Sequence, residues 1–573
     1  MENCEIAGVF SQLADLLEID GANAFRVRSY RNVARTIEGL AIPLTSLRDD
    51  GELTSIPGIG KGTAGKIEEL LDTGELAAVQ QLRDKFPSGL LDMLEIPGFG
   101  PKKVALVYNE LQIESVNELA AAAEAEQLRE LPGMGAKSEQ NVLRGIELFR
   151  EGRERRLLGH ALPLGEAIAS QVADVPGVTQ VSLAGSTRRG QENVGDLDVL
   201  AAARKGSKVT QVFQELPEMD EVIAAGDTKV SCYLTDGTQI DLRVVPSKSF
   251  GAAQQYFTGS KAHNIALRQR AIQRGLKLNE YGVFQEATDK QIAGATEEDV
   301  YAALELPWIP PELREDLGEI EAAEAGGLPD LLDMDDIRGD LHMHTTWSDA
   351  VASIEDMVEG CRARGYEYMA ITEHSQSLTV ASGLSPTELE GQIGIVRGLS
   401  EQYDDIEILI GTEVDIKGDG SLDYPDELLD ELDVVIAALH QGFSSDADRM
   451  TSRMVAAMET GRVHIISHPT GRLIAKRAPY GLHMERVIET AAATDTALEV
   501  NAYPERLDLN DAHCRLAKEA GVRLALCTDA HSVAMLDNMR FAVLTARRGW
   551  VEAGDVINTM PLQKLTEWLR TRK

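Results

Sequence analysis

From Ile337 onward the chain alternates short β runs with helical stretches, and a metal-competent side chain follows nearly every run. Tyr368–Thr372 leads to His374, Ile406–Ile410 to Glu413 and Val434–Leu439 to His440. Val463–Ser467 leads to His468, Arg523–Cys527 to Asp529 and His531, and Ala497–Val500 completes the series. Parallel strands need crossover connections, so repeated β–helix alternation predicts a parallel barrel with helices outside. The residues that follow the strands then gather on one rim. In Asp340-Leu341-His342-Met343-His344 the two imidazoles share a face, because strand side chains alternate. Nine of the 11 histidines lie in this half. A single histidine at a strand end is commonly a satisfied buried residue. Imidazoles and carboxylates at successive strand ends instead predict a multinuclear site for Zn²⁺, Mn²⁺ or Fe.

A second constellation lies upstream. Gly185-Ser186-Thr187-Arg188-Arg189-Gly190 precedes Asp196-Leu197-Asp198, within the apolar context of Val194, Leu197, Val199 and Leu200. Two same-face carboxylates on an apolar strand repel each other unless a divalent cation lies between them. Thr238–Val245 also alternates like a strand and carries Asp241. Three convergent carboxylates suit a pair of Mg²⁺ ions of the kind that clamps attacking and leaving oxygens in phosphoryl transfer. The glycine–serine turn adds what an anion needs: close backbone approach, a hydroxyl and an arginine fork.

Residues 1 to about 150 read as helices separated by glycine turns of one pattern. The turns are Ile56-Pro57-Gly58-Ile59-Gly60-Lys61-Gly62, Ile96-Pro97-Gly98-Phe99-Gly100-Pro101-Lys102 and Leu131-Pro132-Gly133-Met134-Gly135-Ala136-Lys137. Each exposes amides beside a helix N-terminus, which can hold a phosphate without a basic surface. That matters because Asp and Glu outnumber Lys and Arg by 93 to 56, a net charge of −37 that by itself argues against a nucleic-acid partner. The acidity lies on other faces or reflects a high-salt setting. Five scattered cysteines fit a reducing cytoplasm. Met1-Glu2-Asn3-Cys4-Glu5 has no signal-peptide character, and no apolar run is long enough for a membrane span.

The Gly-Ser turn with the Asp triad resembles the nucleotidyltransferase palm of family X DNA polymerases, the DNA polymerase beta-like group. Tyr256-Phe257-Thr258-Gly259-Ser260 with Asn264 and Arg268 is similar to the family's nucleotide-binding segment. Asn279-Glu280-Tyr281-Gly282 resembles its thumb hairpin, and Ile309-Pro310-Pro311-Glu312-Leu313-Arg314 its closing signature. The glycine turns resemble the helix-hairpin-helix DNA clamp, so Gly58, Gly60, Gly98, Gly100, Gly133 and Gly135 become candidate DNA contacts. The C-terminal half is similar to the polymerase and histidinol phosphatase (PHP) domain. Its matching ligands are His342, His344, Asp349, His374, Glu413, His440, His468, Asp529 and His531. Glu373 stands where that family usually has Asp, and His464, His483 and His513 match no ligand position.

The resemblance implies a multidomain α+β and α/β fold. Helical helix-hairpin-helix regions span 1–80 and 81–150, a mixed-sheet palm 151–248, a nucleotide-selection and thumb region 249–315, an acidic linker or poorly packed helix 316–336, and a distorted TIM-like barrel 337–573. It implies gapped or primer–template DNA and dNTPs as partners, two Mg²⁺ ions at Asp196, Asp198 and Asp241, and up to three Zn²⁺ or Mn²⁺ ions at the barrel rim. Ser186 and Arg189 would hold the phosphates. Tyr256, Phe257 and Gly259 would line the nucleotide, with Asn264 and Arg268 at the minor-groove side. Gln239 stands at the family's arginine position before the third Asp. The barrel would be a 3′→5′ exonuclease, with 3′-phosphatase or abasic-site cleavage in addition. Lys66, with Tyr30 nearby, matches the family's Schiff-base lysine for 5′-deoxyribose-phosphate lyase chemistry, although Gly62 replaces a second basic residue. A solvated lysine on a helix face is the other reading. A cytoplasmic monomer is expected. The rival functions are a non-templated nucleotidyltransferase, a phosphoesterase with an inactive polymerase module, and a binding scaffold.

Overall fold

The computed structural model describes residues 3–571 apart from 39–43, 50, 52, 57, 58, 75, 84, 95, 97, 98 and 444. Two compact units are distinguished: Met1–Arg153 with Ala475–Arg477, and Glu154–Ile474 with Ala478–Lys573. Among the described residues no helix is long and apolar enough to cross a membrane.

The first unit is helical. Asn3–Ile19 and Ala24–Glu38 bury Ile6, Phe10, Leu13 and Leu17 with Val27, Val33 and Ile37. The helix Lys61–Thr73 adds Ala64, Ile67 and Leu70 from one face, at helical spacing. A second cluster joins Leu90, Met93, Val104, Val107, Leu119 and Ile146. Each such side chain contributes about 1.5–3 kcal/mol on burial.

The palm in the second unit is a mixed five-stranded sheet. Val178–Leu183 pairs antiparallel with Asp196–Ala203, which runs parallel to Gln239–Val245. Lys229–Leu234 and Met219–Ala225 follow antiparallel. Alternation sorts the side chains. Leu197, Val199 and Ala201 join Ile240 and Leu242 in one apolar cluster, with Ile168, Val172 and Phe213. Leu200, Ala202 and Val245 face the other way, onto Phe250 and Ala253 of the helix Phe250–Thr258. Asp196, Asp198 and Asp241 therefore share a face with that helix. Tyr256 and Phe257 lie in its last turn, just before Thr258.

Beyond it, Leu276–Asn279, Gly282–Gln285 and Lys290–Ala293 form a three-stranded antiparallel sheet, with Asn279 paired to Gly282 across the hairpin. The acidic stretch 316–336 contains the helix Glu319–Ala325 and is packed. Glu319 is buried against His263 Nδ1 at 2.6 Å, and Leu332 N–H donates to the Val551 carbonyl at 3.0 Å.

The C-terminal region is a nearly closed parallel barrel of seven strands in chain order. A bridge between Met343 and Ala530 joins its first and last segments. The interior holds Leu341, Tyr368, Leu409, Val434, Ile436, Ile465 and Cys527. Leu565, Trp568 and Leu569 of the final helix, Leu562–Arg570, plug it from one end. Strands covered on both faces explain the continuous apolar runs in the sequence.

Two candidate catalytic centres and a helical phosphate clamp

In the palm, Asp198 lies directly across from Asp241 in the parallel register, and Asp196 across from Gln239. Burial, with Asp196 and Asp241 adding like charge, pushes the Asp198 carboxyl up to about 7. Nearby cations come from residues that motif reading did not single out. Lys229 Nζ lies 3.3 Å from Asp241 Oδ2, and Arg243 is two positions beyond Asp241 on the same face. Gln239 donates to Asp241 Oδ1 at 3.3 Å, so the residue at the departed arginine position still touches the triad. The turn Gly185–Arg188 docks by the Ala184 N–H donating to the Asp198 carbonyl at 2.9 Å.

Gly185 has φ +63°, and a Cβ there would lie 2.2 Å from Asp198 Oδ2. A side chain at this position is excluded twice, by conformation and by the carboxylate. Ser186 is half-buried in the same turn. Arg189 is engaged internally, donating through Nε to Glu315 at 2.9 Å and through Nη1 to the Thr258 carbonyl. Gly259, also at positive φ, leaves 3.2 Å between a hypothetical Cβ and Arg189 Nη1.

The Tyr256 and Phe257 rings meet edge to face at 5.1 Å. Arg268 lies over Tyr256 and Arg243 over Phe257, at 5.8 and 5.2 Å. Asn264 is buried, with its amide donating to the Tyr256 carbonyl and accepting from Gln255, both at 2.7 Å.

At the barrel rim five of the anticipated histidines surround Glu413, and Asp349, Asp529 and His531 lie against those histidines. His374 Nδ1 lies 2.7 Å from Glu413 Oε2, and His468 Nε2 lies 3.0 Å from Oε1. His440, His342 and His344 approach at 3.5, 3.6 and 3.7 Å. Both Glu413 oxygens are buried, and neither accepts a hydrogen bond. A buried carboxylate ringed by imidazoles without hydrogen-bond geometry fits bound cations and little else. Among the described residues, three groups offer ligand atoms within 4.8 Å of one another. They are His344, Asp349, His374 and His531; His342, His344 and Asp529; and His374, Glu413 and His440. His344 and His374 each belong to two of the groups. The palm triad does not close to that spacing.

Burial, aided by the charges of His374 and His531, holds the His344 imidazole down at about 3. Asp529 at φ +53° and His468 at φ +26° occupy strained backbone, held by the surrounding strand ends.

Outer partners orient the candidate ligands. Glu499 accepts from His342 Nδ1 at 2.6 Å, from the Ser467 hydroxyl at 2.9 Å and from the His468 N–H at 2.6 Å. Asp415 accepts from His440 Nδ1 at 2.7 Å. Glu373 takes hydroxyls from Thr345 and Ser348, an amide from Gln392 at 3.2 Å and the Thr345 N–H at 3.2 Å, so it supports the rim without joining a metal group. Asp415 and Glu499 escape sequence reading. The signal that could have found the first is Glu413-x-Asp415, the same alternation as His342-x-His344. His464 is structural, accepting from the Val435 N–H and reaching the Leu569 carbonyl, both at 2.9 Å.

The helical unit repeats one turn three times. The carbonyls of Ile56, Ile96 and Leu131 accept from the amides of Ile59, Phe99 and Met134 at 3.0, 2.9 and 3.0 Å, with all six residues buried. Gly60 and Gly100 cap the following helices in extended conformation without a side-chain cap, and the second of these helices opens on Pro101, which has no N–H to offer. A Cβ on Gly60, Gly100 or Gly135 would meet nothing. Gly133 instead needs glycine for its φ of +78°. Gly58 and Gly98 lie outside the described residues. Lys66 is half-buried on Lys61–Thr73, and Tyr30 packs on Phe10 with ring centres 6.1 Å apart.

Comparison with known proteins agrees with this layout. Residues 1–76 match a helix-hairpin-helix domain, 90–147 a SAM-like helix-hairpin-helix tandem, 253–315 the DNA polymerase beta thumb and 340–501 the PHP domain. The chain is 39% identical over 572 residues to the DNA polymerase/3'-5' exonuclease PolX of Bacillus subtilis (strain 168), covering 100% of both chains. Its C-terminal part is 28% identical over 245 residues to a probable phosphatase of Thermoanaerobacter sp. (strain X514), covering 41% of this chain and 95% of that one. A probable phosphatase of Enterobacter sp. (strain 638) is 30% identical over 211 residues, covering 34% of this chain and 78% of that one. The chain belongs to the family X DNA polymerases that carry a C-terminal PHP domain.

Proposed function

We propose that the chain fills short gaps in DNA by template-directed synthesis, as in base excision repair, and trims 3′ ends at the barrel rim. The observation that carries the reading is the register of Asp198 against Asp241 beneath the Gly185 turn, in a chain that also surrounds Glu413 with imidazoles. In this account Asp196, Asp198 and Asp241 hold two Mg²⁺ ions, and Ser186 and Arg189 hold the triphosphate. Tyr256, Phe257 and Gly259 lie along the nucleotide, while Asn264 and Arg268 bear on its minor-groove edge. Asp196, Asp198 and Asp241 would hold the divalent cations, which when bound would neutralise the triad, lower the pKa of the primer hydroxyl and stabilise the leaving pyrophosphate.

At the rim His342, His344, Asp349, His374, Glu413, His440, His468, Asp529 and His531 hold up to three Zn²⁺ or Mn²⁺ ions. Glu499 and Asp415 fix the orientation of His342 and His440. The amides that open the helices after Gly60 and Gly135, and the Lys102 amide beyond Pro101, grip backbone phosphates despite the negative net charge. Lys66 is proposed as the lyase nucleophile, and trapping a 5′-deoxyribose-phosphate end with borohydride tests it. The working division is the one read from the sequence, with breaks after residues 80, 150, 248, 315 and 336, and the working setting is a cytoplasmic monomer.

Single-nucleotide gap filling against all four template bases tests the main reading. Incorporation should follow the template base, and incorporation indifferent to it would leave a non-templated transferase.

A further inference from the structure

Arg548 ends the barrel helix Met539–Arg548, yet its guanidinium reaches the palm's phosphate turn. Its Nη1 donates to the backbone carbonyl of Arg189 at 3.0 Å and to Glu315 Oε1 at 3.1 Å. Its Nε and Nη2 donate to Asp511 Oδ2 at 3.0 and 2.7 Å. The same Glu315 oxygen accepts from Arg189 Nε at 2.9 Å and from Gln191 at 2.6 Å. One carboxylate oxygen thus serves two guanidiniums, one from each catalytic half. The barrel braces the rest of this turn as well. Leu544 lies under Gly190, 3.4 Å from where a Cβ would stand, and Arg472 donates to Glu192 at 2.6 Å.

We propose that Arg548 is a positioning residue for nucleotide addition, so that the exonuclease barrel completes the polymerase's triphosphate site. Glu315 alone would compensate the charge of Arg189 and hold its fork away from an incoming phosphate. Arg548 takes a share of that carboxylate oxygen and pins the Arg189 backbone, while Asp511 balances its charge, so its contribution is to fix where the Arg189 guanidinium lies. Asp511 anchors Arg548 from the barrel side. The inference rests on the reading of Arg189 as a triphosphate ligand.

The test uses the full-length protein with Arg548→Ala, Arg189→Ala and the double variant, measuring gap-filling kcat and dNTP KM beside exonuclease turnover. Arg548→Ala should raise dNTP KM about tenfold and leave kcat within about twofold and exonuclease turnover unchanged. In the Arg189→Ala background it should add nothing further. If Arg189→Ala raises KM and Arg548→Ala does not, the positioning role is wrong. If Arg189→Ala itself leaves KM unchanged, the ligand reading fails instead. A parallel fall in exonuclease turnover would make Arg548 a purely structural residue and overturn the proposal. Should Arg548→Ala not fold, Arg548→Lys decides. It keeps the charge but cannot span Glu315, Asp511 and the carbonyl, and an unchanged dNTP KM in this variant overturns the inference.

Discussion

Gly185 and Asp198 are so close that a methyl carbon on the glycine would lie 2.2 Å from the aspartate's Oδ2. Gly185→Ala must displace the carboxylate and also hold alanine at φ +63°, at a backbone cost of about 1–2 kcal/mol. Gap-filling kcat should fall roughly 10²-fold, the usual consequence of an ångström-scale misplacement, with exonuclease turnover unaffected. Assaying both activities on one preparation checks this.

Glu499 touches three groups of the rim through hydrogen bonds of 2.6 to 2.9 Å without being one of the nine anticipated ligands. Glu499→Gln removes the charge that orients His342. Exonuclease turnover should drop about 10- to 100-fold, and metal retained after dialysis should fall with it, while gap filling stays constant. Metal analysis beside both assays measures the split.

Glu297 is buried between Arg188 and Arg314, with contacts of 2.7 and 2.6 Å. Burial opposes its ionisation, but the two guanidiniums prevail and hold the carboxyl at about 2, below its ordinary 4.5. A depressed carboxylate stabilises the fold fully above its unfolded pKa and loses that contribution as pH falls towards the folded one. Glu297→Gln should therefore be less stable than wild type by about 3 kcal/mol at pH 7, with the gap closing between pH 4.5 and about 2. Urea unfolding of both proteins across that range gives the difference directly.

Gly100 caps Pro101–Leu111 with open space around its missing side chain. Gly100→Ala should leave the melting temperature nearly unchanged and weaken binding to gapped DNA about fivefold, by keeping a phosphate from the helix amides. If amides rather than Lys61, Lys102 and Lys137 carry the proposed contacts, the dependence of affinity on salt should be shallow for a DNA polymerase. Binding titrations at several ionic strengths measure both.

Period-two spacing makes both centres legible in the amino-acid order. Asp198 falls opposite Asp241, and His342 and His344 lie in one group with Asp529, as that spacing requires. What the spacing leaves hidden depends on partners far apart in the chain. Arg548 meets Arg189 across 359 positions, and Arg188 meets Glu297 across 109. Lys229 reaches Asp241 only because the strand Lys229–Leu234 pairs beside it. The acidic composition of 316–336 reads as a loose connection, yet Glu319 is buried because His263 on another helix needs an acceptor. Local pattern records which face a side chain takes and carries no record of the remote group waiting there.

The proposed function requires two separable metal centres in one chain, one adding nucleotides and one removing them. Asp198→Ala and His344→Ala probe that separation, since Asp198 faces Asp241 and His344 belongs to two of the three rim groups. On the same gapped DNA, Asp198→Ala should abolish extension and keep 3′→5′ degradation, and His344→Ala should do the reverse. Loss of both activities in either variant, with the fold intact, would contradict this division of labour.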